Sequence, residues 1–138
     1  MNIVYSYFVL DIVHRGHLLM LKNSKAIAGP DGRLIVGIVS DEAVLVKKGK
    51  APTLDFSERL ELANSIQYVD AVVGQQNYTP YENVTNIAPN ILMESESHDE
   101  AQINEGRRLM KELGGRVIVM PYFHDQSSTL IKSKISAV

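Results

Sequence analysis

Ile3-Val4-Tyr5-Ser6-Tyr7-Phe8-Val9-Leu10 followed by Asp11-Ile12-Val13-His14-Arg15-Gly16-His17 is the stretch from which the rest of this chain is read. Its first eight residues form an apolar run of the kind that fills a buried strand. From Leu18 onward the apolar residues recur at helical spacing, which predicts a helix from about Gly16 to Ala28. His14 and His17 therefore stand at a strand-to-helix junction. A new helix brings backbone N–H groups without intrahelical partners and the positive end of its dipole, and both favour a phosphate. Gly16 has no Cβ to obstruct a phosphate approaching the backbone. Imidazole N–H groups there can donate to oxygens that gain charge as a phosphoryl centre is attacked.

Outward from this junction, short apolar runs alternate with helical patterns. Gly29-Pro30-Asp31-Gly32 is a turn, and Leu34–Val39 is a near-continuous apolar strand of the type found inside parallel sheets. Ser40 or Asp41 is placed to cap a short helix. A third helix is expected over Ser57–Ile66, where Phe56, Leu60 and Ala63 share a face, and a fourth over Ala101–Leu113, stopped by Gly114 and Gly115. Short strands are expected at Ala71–Val73, Ile91–Met93 and Arg116–Met120, and a last helix from Ser127 onward. The alternation predicts an α/β fold, a single Rossmann-like, doubly wound domain over residues 1–138 with about five parallel strands. Ligands in such sheets bind at the carboxyl ends of the strands, near a topological switch point, and the two histidines lie at one such end.

Composition narrows the function classes. A chain of 138 residues is long enough for one hydrophobic core, and 45% hydrophobic with 22% charged content is ordinary for a globular protein. A net charge of −2 argues against general binding to nucleic acid or an anionic membrane. The absence of cysteine excludes disulfides, thiolate metal sites and a cysteine nucleophile. The four histidines have no companions at metal-ligand spacing, so no direct protein ligand to a metal is expected. No membrane span and no targeting segment stand out, and cytoplasmic residence is expected.

Two further segments can converge on the junction. One is Ser40-Asp41-Glu42 through Lys47-Lys48-Gly49-Lys50, whose lysines offer mobile cations that can follow charge into a transition state. The other is Ser127-Ser128-Thr129-Leu130-Ile131-Lys132, whose hydroxyls at a helix start can cap it and hydrogen-bond phosphate oxygens. Two phosphate-type helix N-termini with lysines between them describe a triphosphate site.

At this point the chain resembles the cytidylyltransferase-like nucleotidyltransferase superfamily, whose members join a nucleoside triphosphate to a phosphorylated small molecule and release pyrophosphate. The family pattern places an aspartate three residues before H-x-G-H, as Asp11 does here. Ser40-Asp41-Glu42, Lys48-Gly49-Lys50, Glu58-Arg59 and Tyr68-Val69-Asp70-Ala71-Val72 then follow it in order, and Ser127 to Lys132 match the closing signature. The resemblance implies that His14 and His17 stabilise the pentacoordinate α-phosphate and that Lys48 is the main catalytic lysine. It implies nucleotide binding by Phe8, Val9, Asp11, Gly16, Ser127, Ser128 and Thr129, with Mg²⁺ accompanying the triphosphate. Acceptor binding falls to Lys47, Glu94, His98 and His124, and a homodimer is expected.

A second, narrower resemblance involves Val4-Tyr5 leading to Asp11, and Gln76-Asn77-Tyr78 followed by Glu82-Asn83 and Pro89-Asn90. These look like cytidylyltransferases acting on phosphonates or phosphoamino-alcohols, which favours CTP over ATP and a small phosphate- or phosphonate-bearing acceptor. Two alternatives stand beside this reading. One is an adenylyltransferase of the same fold acting on a sugar phosphate, FMN or a pantetheine-like phosphate. The other is an inactive nucleotide-binding regulatory subunit. The chain also departs from the family pattern: Phe8 stands where many members carry glycine, and Gln67 and Tyr122 stand where arginine is expected. Glu94-Ser95-Glu96-Ser97 replaces a G-D-D-W run.

Overall fold

The computed structural model describes residues 1–122 and 128–136. The chain runs β1 (Ile3–Phe8), α1 (Arg15–Ala28), β2 (Arg33–Val39), α2 (Asp41–Lys48), α3 (Phe56–Asn64), β3 (Ala71–Gln75), α4 (Tyr81–Ile87), β4 (Ile91–Ser95), α5 (Glu100–Glu112), β5 (Arg116–Met120) and α6 (Ser128–Ser136). All pairings are parallel and the strand order is β3-β2-β1-β4-β5, a Rossmann-like α/β sheet. The chain builds outward from β1 to β3, then crosses to the other side of β1 for β4. The switch point therefore lies between the carboxyl ends of β1 and β4.

Alternation along β1 divides the core into two layers. Val4 packs with Leu21 and Ala28 of α1 and Ala63 of α3, on the face that also takes Leu34, Val36 and Ile38 of β2. Tyr5 and Tyr7 point the other way, to Val84 of α4 and Met110 of α5. Both faces of β1 are covered, which is why its sequence reads as a continuous apolar run rather than an alternating one. Ser6 is fully buried and bonds Ser24 of α1 hydroxyl to hydroxyl at 3.0 Å, so this polar pair is satisfied inside the core. Gly37 of β2 leaves room for the Tyr5 side chain: a Cβ there would lie 1.9 Å from the Tyr5 hydroxyl.

The element boundaries differ from expectation at informative places. β1 ends at Phe8 rather than Leu10, because Leu10 turns the chain through a left-handed conformation (φ 58°). Ser40, not Asp41, caps α2, its hydroxyl accepting from the Ala43 N–H at 3.1 Å. β3 and β4 each extend two residues past the expected ends. α4 has no counterpart among the elements expected from sequence. It is seven residues long, buries only Val84, starts at Pro80 without a side-chain cap and holds Asn83, Thr85 and Asn86, all modest helix formers. Ser127, the expected start of the last helix, lies outside the described residues, and α6 is described from Ser128.

Candidate active site

A cavity of about 650 Å³ opens at the switch point. Its walls are the end of β1 and the turn after it (Tyr7 to Asp11), the start of α1, the end of α2 with Lys48 and Lys50, the ends of β4 and β5, and the start of α6. The volume suits a small-molecule or cofactor site.

His14 caps α1, its Nδ1 accepting the Gly16 N–H at 3.0 Å, while His17 Nδ1 accepts the His14 N–H at 3.3 Å. The two rings lie 3.8 Å apart, centroid to centroid, at 30°. With both Nδ1 atoms accepting, each neutral imidazole carries its proton on Nε2. Burial lowers the pKa of both rings. For His17, burial and then the neighbouring His14 bring it down to about 3. The pair is therefore a set of two neutral donors on the cavity wall at physiological pH. Phe8, the departure from glycine, packs edge-on against His17 (5.8 Å, 87°) and so supplies part of the burial that keeps that ring neutral. The same geometry corrects one expectation: the N–H groups of His14 and Gly16 are taken by imidazole nitrogens. A ligand at the start of α1 meets imidazole edges in place of the unpaired N–H groups that a helix start leads one to expect.

Asp11 is buried, and it binds protein groups on every side. Its carboxylate accepts from the N–H groups of Thr53 (2.9 Å) and Leu54 (2.8 Å) and from Lys132 Nζ (2.5 Å). Burial alone would raise its pKa, but Lys132 and the two N–H groups outweigh it and hold the carboxyl below its ordinary value. Asp11 thus ties the start of α6 to the turn after β1. Ser128 makes a parallel link, donating its hydroxyl proton to the Ile12 carbonyl at 2.9 Å; Thr129 beside it also lines the cavity. Lys48 lies at the cavity wall, its pKa lowered by burial and by Lys132, with Asp11 opposing and Lys50 adding to the lowering.

The loops that carry these groups are held by Arg59, which is wholly buried. It donates to the Val9 carbonyl (2.7 Å), the Leu54 carbonyl (3.0 Å) and Asp41 (2.7 Å), so one guanidinium locks the turn after β1, the segment before α3 and the start of α2. Asp70 of the Tyr68–Val72 segment is likewise scaffolding, accepting from Leu34 N–H at 2.8 Å and Lys25 at 2.6 Å.

The residues expected to bind the acceptor are separated by the structure. His98 lines the cavity. Glu94 does not; it is fully buried behind the wall, where it accepts from Tyr7 Oη (2.9 Å to each oxygen) and meets His98 Nδ1 at 2.5 Å. Lys47 lies away from the cavity, its ammonium 5.7 Å from the ring centroid of Tyr78 in a shallow surface depression. His124 and Ser127 lie outside the described residues. Gln76, Asn77, Tyr78, Glu82 and Asn83, part of the basis for the cytidylyl-type resemblance, surround the turn from β3 to α4 and contribute nothing to the cavity wall, whereas Asp11, also part of it, lines the cavity. Nothing in the sequence pattern singles out Tyr7 and Gln102, whose side chains meet at 2.6 Å, or the anchoring role of Arg59. The Glu58-Arg59 pair is the only signal that could have found the latter.

Among the described residues no three or more His, Asp or Glu side chains group as metal ligands. Asp11 is the one carboxylate among the described residues on the cavity wall, and its oxygens are taken by protein donors. Among the described residues no helix is long and apolar enough to cross a membrane.

Residues 9–134 match the family model described as cytidylyltransferase-like. The chain belongs to the cytidylyltransferase-like family. Within that family it is 33% identical over 128 residues to the FAD synthase of Korarchaeum cryptofilum, covering 91% of this chain and 85% of that one. It is 29% identical over 135 residues to the D-beta-D-heptose 1-phosphate adenylyltransferase of Bordetella bronchiseptica, covering 96% and 81%. It also matches the bifunctional protein HldE of Hydrogenovibrio crunogenus at 29%, where it spans only 27% of the longer protein. Among solved structures, the lipopolysaccharide core biosynthesis protein of Thermoplasma volcanium GSS1 superposes with a TM-score of 0.70 at 28% identity, over 89% of this chain and 97% of that one. A protein of unknown function from Archaeoglobus fulgidus, 17% identical with a TM-score of 0.67, shares the fold. This cytidylyltransferase-like chain is thus similar, over nearly its whole length, to relatives named FAD synthase and D-beta-D-heptose 1-phosphate adenylyltransferase.

Proposed function

We propose that the protein is an adenylyltransferase, joining the AMP moiety of ATP to a small phosphate monoester with release of pyrophosphate. The observation that carries this reading is the His14–His17 pair, two neutral Nε2 donors on the wall of a cavity that also receives Lys48, Lys132 and the start of α6. ATP is favoured over CTP because the similar FAD synthase and heptose 1-phosphate adenylyltransferase are matched along most of their length. Of the residues whose resemblance favours CTP, Asp11 alone lines the cavity.

In this reading an acceptor phosphate oxygen attacks the α-phosphorus of ATP in line. The new P–O bond forms as the bond to the bridging oxygen of the leaving pyrophosphate breaks. His14 and His17 donate from Nε2 to the α-phosphate oxygens, which carry more charge in the pentacoordinate state than before it. Being neutral, they bring no charged-form desolvation penalty to the cavity. Lys48 meets the triphosphate as a mobile cation, and Thr129 with the α6 N-terminus faces its β- and γ-phosphates. The protein contributes position and charge stabilisation, with no covalent enzyme intermediate. Mg²⁺, held on the triphosphate, neutralises part of its charge. A homodimer is part of the proposal and is read by light scattering.

The test is pyrophosphate release with Mg²⁺, comparing ATP and CTP against sugar 1-phosphates, FMN, glycerol 3-phosphate and a phosphonate. ATP turnover with one phosphate monoester is expected, falling by about 10²–10³ in His17→Ala. Turnover with CTP alone would overturn the nucleotide assignment. Tight ATP binding without turnover on any acceptor would favour an inactive nucleotide-binding subunit.

A further inference from the structure

Behind the wall opposite the histidine pair, a polar chain runs through the core from α5 to the cavity. Gln102 Nε2 donates to Tyr7 Oη at 2.6 Å, so the single Tyr7 proton is directed onward to Glu94, whose two oxygens each lie 2.9 Å away. Glu94 Oε2 then meets His98 Nδ1 at 2.5 Å. The Tyr7 hydroxyl (3.3 Å) and the Ser95 N–H (3.5 Å) also approach that nitrogen, both from farther than Glu94. Both oxygens of Glu94 are thus arranged as acceptors, and the side chain has no exposure to water. A buried carboxylate needs a compensating partner, and the His98 ring is the titratable group that meets it.

We propose that Glu94 holds His98 as an imidazolium whose Nε2–H, on the cavity wall, anchors the dianionic phosphate of the acceptor. The inference rests on the nucleotidyl-transfer reading and specifies its acceptor end. One active site then holds its histidines in two protonation states: His14 and His17 neutral beside the nucleotide, His98 charged beside the acceptor. A phosphate monoester is largely dianionic near pH 7, so it forms a charge-assisted hydrogen bond that a neutral alcohol or a phosphodiester matches poorly. The dianion already carries its nucleophilic oxygen without a proton, so a cation that positions it serves better than a general base. The same geometry removes Glu94 from direct contact with an acceptor amine, since its carboxylate is enclosed by Tyr7 and His98.

Two side chains meet the His98 ring: Tyr7 of β1, 5.3 Å away between ring centroids, and Glu94 of β4 at Nδ1. The lysines of the cavity wall, Lys48, Lys50 and Lys132, are attached to other elements.

The test follows the ring resonances of the four histidines by NMR in the full chain, assigned with His98→Gln. Over a pH titration, the His98 ring resonances are expected to report the doubly protonated ring in the wild type and its loss in Glu94→Gln. Inorganic phosphate is expected to shift the His98 signals in the wild type and not in Glu94→Gln, while ATP shifts His14 and His17 in both. ATP-induced shifts also report that Glu94→Gln is folded; should it not fold, His98→Gln carries the test. That variant is expected to raise KM for the phosphate acceptor at least about tenfold with KM for ATP unchanged. Identical His98 titration in wild type and Glu94→Gln overturns the proposal, as does an unchanged acceptor KM in His98→Gln. Absence of ATP-induced shifts would instead count against the nucleotidyl-transfer reading, and the His98 titration would still decide whether Glu94 holds its imidazolium.

Discussion

At the scale of single residues, the site depends on groups whose protonation is set by their partners. The pKa of His17 is lowered by burial to about 3 from an unfolded value of 6.5. In the acid range between these values the unfolded chain binds the extra proton and the folded chain does not, so stability falls as pH drops below 6.5. Urea unfolding at pH 7 and pH 5 should show His17→Gln losing on the order of 1–2 kcal/mol less than the wild type over that interval. Equal losses would mean that His17 titrates normally when folded. Asp11 has the carboxylate form of the same dependence: its folded pKa lies below the ordinary value, so its contribution is present near neutrality and disappears as acid protonates it. Asp11→Ala strands two backbone N–H groups and Lys132, and should cost about 3 kcal/mol in chemical denaturation. A cost under about 1 kcal/mol would show that water replaces those bonds freely.

At the scale of elements, the groups proposed to act on the nucleotide sit on the starts and ends of α1, α2 and α6, which no single stretch of sequence holds together. Arg59 of α3 does this for two of the loops, and its three acceptors belong to segments 50, 18 and 5 residues away in sequence. Arg59→Met keeps much of the volume but leaves the Val9 and Leu54 carbonyls and Asp41 without their donor. Denaturant unfolding should place its cost at about 2–4 kcal/mol, chiefly from the two backbone carbonyls left without their donor, since the Asp41 side chain is partly exposed. A near-neutral result would show that apolar packing alone holds these loops. The elements legible in the sequence are those with a strong period or a clear stop: α1, α3, α5 and the apolar strands, each within one or two residues at most ends. α4 escapes because seven residues with one buried side chain carry almost no period, and β1 reads too long because nothing local marks Leu10 as left-handed.

At the scale of the whole molecule, the cavity exists only because the strand order places β4 beside β1. Its walls come from residues spread from Tyr7 to Lys132, so a ligand there bridges both ends of the chain. ATP that binds the folded state alone should stabilise it by about 2.7 kcal/mol at a hundred times its Kd. This raises Tm by about 5–10 °C in a scanning experiment. CTP at the same concentration should raise it less, and His17→Ala should reduce the ATP effect. An equal rise with both nucleotides would show that the base is not discriminated.

The linear chain was sufficient for the α/β class, the parallel sheet, the family and the junction bearing His14 and His17. Those features are local: apolar runs, helical periods and motifs of fixed spacing reflect burial and backbone geometry within a few residues. Tertiary structure alone decided which partner each polar group meets. It turned Asp11 from an expected nucleotide contact into the tether of Lys132, and Glu94 from an expected acceptor contact into the buried partner of His98. It also moved Lys47 out to the surface beside Tyr78. A charge is assigned its role by what lies within about 3 Å of it, and in a parallel sheet those neighbours arrive from strands and helices far apart in sequence.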